Sequence, residues 1–255
     1  MANIWRDPRS ANSRMRIINA ATPRAFASAA ADWVCRHLHS KPRSVLALPT
    51  GSTPLGLYAE LIERLRAGTA SLDAAKIFNL DEYCGLAPSD PHSYAAFLRR
   101  HLIAPAGLAA GQVRLLRGDA PDMGAECREY DAALADSGGI DLCVLGLGVN
   151  GHIAFNEPGS SWELRTHAVQ LTPATRAAHE RQAQVPWNIP EWGVTMGIKT
   201  VLESRHVLLL IAGTHKEAAR AAFYAGAADA DWPVTSLLAH AGLTVIELCG
   251  PSASR

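Results

Sequence analysis

Short apolar runs alternate along the chain with longer segments in which apolar residues recur at helical spacing. The clearest helical segment carries Leu55, Tyr58, Leu61, Ile62 and Leu65 on one face. The apolar runs predict strands at 44–48, 76–80, 113–116, 140–145, 207–212 and 243–248. The periodic segments predict helices at about 23–39, 54–66, 91–103, 122–136, 215–225 and 233–240.

Alternation of strands and helices is typical of βαβ units, so the pattern predicts an α/β fold with a mostly parallel sheet and helices on both faces. The length of 255 residues allows one or two domains. No linker divides the chain, and we therefore predict a single domain over 15–255, preceded by a flexible arm at 1–14. The stretch 155–200 is rich in Pro, Trp and Gly and is expected to form an excursion near the edge of the sheet.

Composition and charge narrow the classes of partner. Lys and Arg number 24, and so do Asp and Glu, which gives a net charge of zero. This balance argues against nucleic-acid and membrane-surface partners, because both attract an excess of positive charge. No apolar run reaches the roughly 18–20 residues of a membrane span, and the N-terminal residues lack the apolar core of a signal peptide. The five scattered cysteines form no C-x-x-C pair, which fits reduced thiols in a cytoplasmic protein.

The loops after the strands are the expected ligand-binding positions, since ligands of open parallel sheets bind at the carboxyl ends of the strands. The first such loop, 49–54, reads Pro-Thr-Gly-Ser-Thr-Pro. Thr50, Ser52 and Thr53 offer hydroxyl groups, and Gly51 lets the backbone approach a ligand closely. Thr53 is also predicted to cap the following helix. A helix N-terminus with these residues indicates an anion site, most plausibly for phosphate, although a capped turn without a ligand is an alternative.

A second loop points to the same ligand. Lys216 follows the strand at 207–212 and lies where the first turn of the next helix is predicted. A cation opposes the helix dipole there unless an anion is close by, while the alternative is a solvated lysine that points away. Two such loops in one sheet favour a phosphate ligand.

Candidate acid–base groups follow two other strands. Asp81 and Glu82 come after the strand at 76–80, between apolar neighbours that could raise a carboxyl pKa; a capping or ion-paired role is the alternative. The loop 146–159 contains a formal G-x-G-x-x-G. Pro158 and Gly159 would stop a long helix there, and no acidic residue ends a strand about 20 positions later, so a dinucleotide site is disfavoured.

The glycine loop is better interpreted as a tight turn that presents Asn150, His152 and Glu157 together. An imidazole can move protons near neutral pH, and a carboxylate can fix its tautomer. The ten histidines show neither H-E-x-x-H nor Cys/His knuckle spacing, so no metal site is predicted.

Several segments resemble the glucosamine-6-phosphate deaminase/isomerase family. They are LPTGSTPLGLY at 48–58, NLDEYCGL at 79–86, SYAAFLRRHL at 93–102, DLCVLGLGVNGHIAFNEPGS at 141–160 and GTHKEAA at 213–219. The similarity extends from about residue 15 to 250, and it implies a Rossmann-like α/β fold. The glycine loop alone is also similar to the related 6-phosphogluconolactonases, which lack the NEP continuation.

The resemblance implies a role for each candidate residue. Asp81 would be the base that moves a proton between C2 and C1, His152 the acid–base group of ring opening, and Glu157 its orienting partner. The phosphate of a hexosamine 6-phosphate would bind at Thr50, Gly51, Ser52, Thr53, Arg181 and Lys216. The resemblance implies no metal, nucleotide or organic cofactor, and it leaves the oligomeric state open, a homo-oligomer included.

Two departures from the family keep alternatives open. Asn150 stands where the family usually has Asp; it can accept a hydrogen bond but cannot stabilise an imidazolium by charge. His167 and Val169 stand near positions where allosteric members carry basic residues, and no C-terminal extension follows, so allosteric activation is not expected. The leading hypothesis is deamination of glucosamine 6-phosphate. The alternatives are the galactosamine epimer as substrate, a non-catalytic sugar-phosphate sensor, and lactone hydrolysis.

Overall fold

The computed structural model of the protein describes residues 4–5, 15–182 and 187–249. Its main sheet has eight strands in the order β1-β2-β11-β10-β7-β3-β4-β6, and every neighbouring pair is parallel except β1 with β2. The strands are β1 (Ile4–Trp5), β2 (Arg16–Ala20), β3 (Val45–Leu48), β4 (Lys76–Asn79), β6 (Val113–Arg114), β7 (Leu142–Gly146), β10 (His206–Ile211) and β11 (Leu243–Leu248). All six predicted strands are present with small shifts of their ends, which confirms the predicted mostly parallel sheet.

Helices cover both faces of this sheet, also as predicted. They are α1 (Pro23–Ser40), α2 (Leu55–Arg66), α3 (Tyr94–Leu98), α4 (Met123–Asp136), α5 (Pro173–Gln182), α6 (Ile198–Leu202) and α7 (Glu217–Tyr224). Helices α1 and α2 pack on one face, and α4 and α7 on the other. Strand β7 shows why its apolar run is continuous: Leu142 and Val144 enter one core, and Cys143 and Leu145 the other. Among the helices that the structure describes, none combines the length and apolar character that a membrane crossing needs.

A second, smaller sheet occupies the predicted excursion. It has the order β5-β9-β8 and is antiparallel, with β5 at Asp81–Tyr83, β8 at His167–Gln170 and β9 at Trp192–Thr195. The stretch 155–200 contains β8, α5, β9 and the start of α6. Since β5 begins two residues after β4 ends, the small sheet continues directly from the carboxyl edge of the main one.

Two other sequence predictions need adjustment. The helix expected at 91–103 is a short α3 followed by a π-helical turn at Arg99–Ile103. The segment at 233–240 is a 3-10 helix, Pro233–Ala239, in place of an α-helix. Within the predicted arm, Ile4–Trp5 pair antiparallel with β2, and the rest of 1–14 lies outside the described residues.

An ion cluster joins the elements at the amino edge of the sheet. Asp141, just before β7, accepts hydrogen bonds from Lys41 Nζ at 2.6 Å, Arg205 Nη1 at 2.8 Å and Val45 N at 3.0 Å. Burial acts to raise the pKa of Asp141, but the bonds from Lys41 and Val45 and the nearby positive charges bring it below its ordinary value. The cluster therefore fixes the edge opposite the predicted ligand site.

Candidate active site

The predicted site residues other than Arg181 lie in the connections that follow four strands at their carboxyl ends. The loop 49–54 follows β3, the acidic pair follows β4, the glycine loop follows β7, and Lys216 follows β10. Because β10, β7, β3 and β4 are consecutive neighbours in one parallel sheet, these four connections emerge at the same edge.

The loop after β3 differs from its prediction in one respect. Helix α2 begins at Leu55 with Pro54 at the N-cap position, and no side chain caps it. Thr53 was predicted to be the cap, and this prediction is wrong because the helix starts one residue later than expected. The Thr53 hydroxyl instead accepts a hydrogen bond from Lys216 Nζ at 3.3 Å. Gly51 has φ +86°, a conformation that favours glycine, and turns the chain ahead of the helix.

Lys216 is buried next to this loop rather than solvated. A 3-10 turn, Thr214–Lys216, follows β10 and leads into α7, and 8% of Lys216 is exposed. Burial lowers the pKa of Lys216 to about 8. In the part of the chain that the structure describes, no carboxylate pairs with this ammonium, and Thr53 is its one side-chain hydrogen-bond partner. A buried cation without a counter-ion is costly, so this corner is complementary to an anion.

Arg181 is a second cation whose charge reaches the turn that carries Lys216. It is exposed, near the end of α5. Burial, then the charges of Lys216 and Arg181, lower the pKa of His215. The charges of both cations thus act on His215, the neighbour of Lys216 in the turn after β10.

Asp81, the first residue of β5, is buried and 6% exposed. Its Oδ1 has no hydrogen-bond partner among the described residues. Burial, and secondly the charge of Glu82, raise the pKa of Asp81 well above its ordinary value. Burial and the charge of Asp81 also raise the pKa of Tyr58, whose hydroxyl donates to Pro49 O at 2.5 Å. Asp81 is thus an under-bonded carboxyl group whose charge acts on Tyr58, the residue bonded to the loop 49–54.

Glu82 has a structural task instead. Its carboxylate accepts three backbone N–H groups, those of Tyr83 at 2.9 Å, Tyr94 at 2.9 Å and Ala95 at 2.8 Å. Burial raises the pKa of Glu82 to about 7, against the lowering effect of these bonds. The helix-capping alternative weighed for the acidic pair therefore applies to Glu82, which anchors the start of α3 to β5, and Asp81 is left free.

The glycine loop holds His152 by close packing. A Cβ at Gly148 would lie 2.2 Å from the imidazole Cδ2, and Gly151 has φ +83°. The side chain of His152 is mostly buried, with 12% exposed, and burial, followed by the charge of Lys216, lowers the pKa of His152 to about 4. The imidazole is therefore neutral at pH 7 and able to accept a proton.

The structure brings the three predicted residues of this loop together. Asn150 Nδ2 donates to Glu157 Oε2 at 2.7 Å, and Asn150 Oδ1 accepts from His152 N at 3.2 Å. Glu157 Oε2 lies 3.9 Å from His152 Nδ1. Glu157 also accepts hydrogen bonds from the backbone N–H and the hydroxyl of Thr172, each at 3.3 Å.

Helix α5 supplies site residues that the sequence reasoning missed. Thr175 Oγ1 lies 3.3 Å from His152 Nδ1. The ring of His179 is 6.2 Å from that of His152, at an interplanar angle of 83°, and its Nδ1 is 2.7 Å from Tyr83 Oη. Thr172 followed by Pro173 is a helix-start pattern, and it was the one available signal that α5 begins beside the glycine loop.

Strand β9 connects the acid to the glycine loop. Thr195 pairs with Asp81 across the small sheet, and its Oγ1 accepts a hydrogen bond from Phe155 N at 3.0 Å. The two proton-transfer candidates are therefore held on one framework. Among the described residues, no group of three or more His, Cys, Asp or Glu side chains could hold a metal ion.

Comparison with known proteins identifies the family. The profile of the glucosamine-6-phosphate isomerases/6-phosphogluconolactonases matches residues 19–246. The chain belongs to this enzyme family. A glucosamine-6-phosphate deaminase of Geobacillus sp. is 41% identical over 232 residues, which cover 91% of this chain and 92% of that protein. Glucosamine-6-phosphate deaminase 2 of Bacillus subtilis is 38% identical over 234 residues, 91% of this chain and 94% of its own.

Solved structures agree with the fold. A monomeric glucosamine-6-phosphate deaminase superposes with a TM-score of 0.88 at 35% identity and covers 93% of this chain and 98% of its own. The 6-phosphogluconolactonase of Thermotoga maritima superposes with a TM-score of 0.72 at 18% identity, and the match covers 92% of this chain and 99% of that protein. The predicted family and the Rossmann-like single-domain fold are thereby confirmed.

Proposed function

We propose that this protein is a glucosamine-6-phosphate deaminase, which converts glucosamine 6-phosphate and water into fructose 6-phosphate and ammonia. The proposal rests on one arrangement: a neutral buried imidazole at His152 and an under-bonded carboxyl at Asp81 share a sheet edge with a buried, unpaired Lys216. The relatives that are 37–41% identical over most of the chain are named for this activity, which supports it.

The phosphate end of the substrate is expected at the cationic corner. Lys216 and Arg181 supply positive charge, and Thr50, Gly51, Ser52 and Thr53 supply hydroxyl and backbone N–H groups. These phosphate-binding groups are remote from C1 and C2, so their role is to orient the substrate. Well-oriented placement contributes on the order of 7–11 kcal/mol at most.

Ring opening is assigned to His152. The neutral imidazole accepts the proton of the anomeric hydroxyl and returns one to the ring oxygen, so no net proton is consumed. Glu157 and Asn150 keep the ring in place through the contacts described above.

Asp81 is assigned the proton transfer between the two reactive carbons. The new aldehyde acidifies the C2 hydrogen, which the Asp81 carboxylate removes while one ammonium proton moves to O1. Asp81 then delivers its proton to C1, which leaves an iminium at C2. Water adds to C2, the C–N bond breaks, and ammonium leaves the ketose phosphate. The substrate ammonium favours the ionised form of Asp81 at the start of this sequence.

The test is a coupled assay of purified protein for ammonia and fructose 6-phosphate. Glucosamine 6-phosphate, galactosamine 6-phosphate and 6-phosphogluconolactone are offered separately. We expect ammonia release with the first substrate. Turnover of the lactone alone, or tight binding of hexosamine phosphates without ammonia release before and after Asn150→Asp, would contradict the proposal.

A further inference from the structure

The first turn of α5 inserts a hydroxyl group between the imidazole and the carboxylate of the glycine loop. Thr175 is fully buried, and its Oγ1 lies 3.3 Å from His152 Nδ1. The carboxylate itself is too far away, since Glu157 Oε2 is 3.9 Å from the same nitrogen. Without Thr175, a buried N–H at Nδ1 would therefore lack an acceptor at hydrogen-bond distance.

Two hydroxyl groups link the imidazole to the carboxylate. Thr175 Oγ1 is 3.2 Å from Thr172 Oγ1, and Thr172 Oγ1 is 3.3 Å from Glu157 Oε2. Thr172 also caps α5, because its hydroxyl oxygen accepts the N–H of Thr175 at 3.2 Å. The same oxygen can thus accept at one side and donate its single proton at the other.

The hydrogen bonds of this group are best satisfied when they run in one direction, from the imidazole of His152 towards the carboxylate of Glu157. A carboxylate only accepts, so the Thr172 hydroxyl donates to Glu157. The Thr175 hydroxyl then donates to Thr172, and its remaining lone pairs accept from His152 Nδ1–H and from Asn150 Nδ2, which is 3.4 Å away. Every donor in the group has an acceptor in this arrangement. In the opposite direction, the Thr175 proton goes to Nδ1, and the lone pairs of the Thr172 oxygen are left with the backbone N–H alone.

We propose that Thr175 is a positioning residue that connects Glu157 to His152 through a relay of two hydroxyl groups. The relay keeps the imidazole proton on Nδ1 and leaves Nε2 free to accept the anomeric proton. Thr175 acts through His152 and need not touch the substrate. The kinetic part of this inference rests on the proposed deaminase function, whereas the tautomer of His152 does not.

The kinetic test compares three single variants. Thr175→Val removes the hydroxyl at nearly constant volume, and Thr175→Ser keeps it. Thr200→Val is the matched control, because Thr200 is buried in α6 and its hydroxyl has no partner among the described residues. We expect T175V to lower kcat about 10–100-fold, the usual effect of losing a group that orients a functional histidine, with KM changed less than about 3-fold. T175S and T200V should stay within about 3-fold of the wild type.

The structural test is the tautomer of His152, read from long-range ¹H–¹⁵N correlations, with His152→Gln to assign the signals. We expect an Nδ1-protonated ring in the wild type and T175S, and a mixture of tautomers in T175V. If T175V fails to fold, Thr175→Ala takes its place in both measurements. An Nε2-protonated ring in the wild type, or equal kinetic losses in T175S and T175V, would overturn the inference. Lack of turnover in the wild type would refute only the proposed deaminase function and not the relay, since the tautomer of His152 is measured without substrate.

Discussion

At the scale of single residues, Asp81 and Glu82 show how neighbours in the chain acquire different chemistry. Their side chains leave β5 on opposite sides, as successive strand residues do. Glu82 meets three backbone N–H groups and is used to hold α3, whereas Asp81 Oδ1 meets none. The sequence indicated a buried acid with a raised pKa at this point, but it did not separate the two carboxyl groups, because two of the three N–H groups come from α3, which starts twelve residues after Glu82.

Asp81→Asn tests the base directly. The amide cannot accept the C2 proton, so we expect kcat to fall by about 10²–10⁴-fold while the substrate still binds. Steady-state kinetics and a binding isotherm for glucosamine 6-phosphate give the two quantities. Asp73→Asn, at an exposed position, is the control and should behave like the wild type. Unchanged turnover in D81N would refute the assigned role, and wild-type protein that binds without turnover would favour the sensor hypothesis.

The burial of Lys216 predicts how kcat/KM depends on pH. Its pKa is lowered to about 8 by burial, so the ammonium is charged below that pH and loses its charge above it. We expect kcat/KM, which reports the free enzyme, to fall as the pH rises through about 8. The substrate phosphate does not cause this change, because its second pKa is about 6.

A substitution of Lys216 tests whether this residue causes the alkaline fall of kcat/KM. Lys216→Met should raise KM about 10–100-fold at pH 7, as expected for the loss of a hydrogen bond to a charged group, and should remove the alkaline fall. Lys199→Met is the matched control, since Lys199 lies at the surface in an ion pair with Glu163. An alkaline fall that persists in K216M belongs to another group.

At the scale of elements, the long apolar strands were predictable and the small sheet was not. The strands of the main sheet are continuous apolar runs because helices cover both faces. β5, β8 and β9 have three or four residues each, and β8 alternates half-buried with exposed positions, so no such run marks them. The contact between Thr175 and His152 joins the first turn of α5 to the glycine loop 23 residues earlier, and it has no local sequence signal.

The glycine loop can be tested as an element. Gly148→Ala places a Cβ about 2.2 Å from the imidazole of His152, so the loop must shift. A displacement of about 1 Å costs about 10²-fold in rate, and we expect a loss of that order in kcat. Gly146→Ala is the matched control, because a Cβ there meets no atom within 4 Å. Equal kinetics for the two variants, with unchanged thermal unfolding, would show that the packing of His152 is not limiting.

At the scale of the whole molecule, the two edges of the sheet have separate tasks. The carboxyl edge carries the under-bonded acid and the unpaired cation, and the amino edge carries the satisfied cluster around Asp141. The alternation of strands and helices predicted a ligand site at the carboxyl edge, and the connections that carry the candidate residues emerge at that edge. It did not predict the cluster, since Lys41, Asp141 and Arg205 come from three separate loops.

Asp141→Asn is expected to lower the free energy of unfolding by about 1–3 kcal/mol at pH 7, the range for hydrogen bonds to a charged group. The pKa of Asp141 is depressed in the folded state, so the wild-type advantage is complete above its ordinary value of 3.8 and is lost as the pH falls through the folded value. Urea unfolding of the wild type and D141N at pH 7 and at about pH 3 measures the loss of stability and its dependence on pH. Asp119→Asn, in an exposed pair with Arg117, should change stability by less than about 1 kcal/mol. A D141N effect of the same size at both pH values would assign the loss to packing.

The hydrogen bond from Lys216 to Thr53 spans 163 positions of the chain. Such a contact is among the last that a growing polypeptide can make, because β10 and the turn after it must leave the ribosome and join the sheet first. The corner proposed to bind phosphate therefore forms only when the long-range pairing of β3, β7 and β10 is complete. If the proposal holds, recovery of phosphate affinity during refolding would report that pairing, while helix formation measured by circular dichroism would precede it.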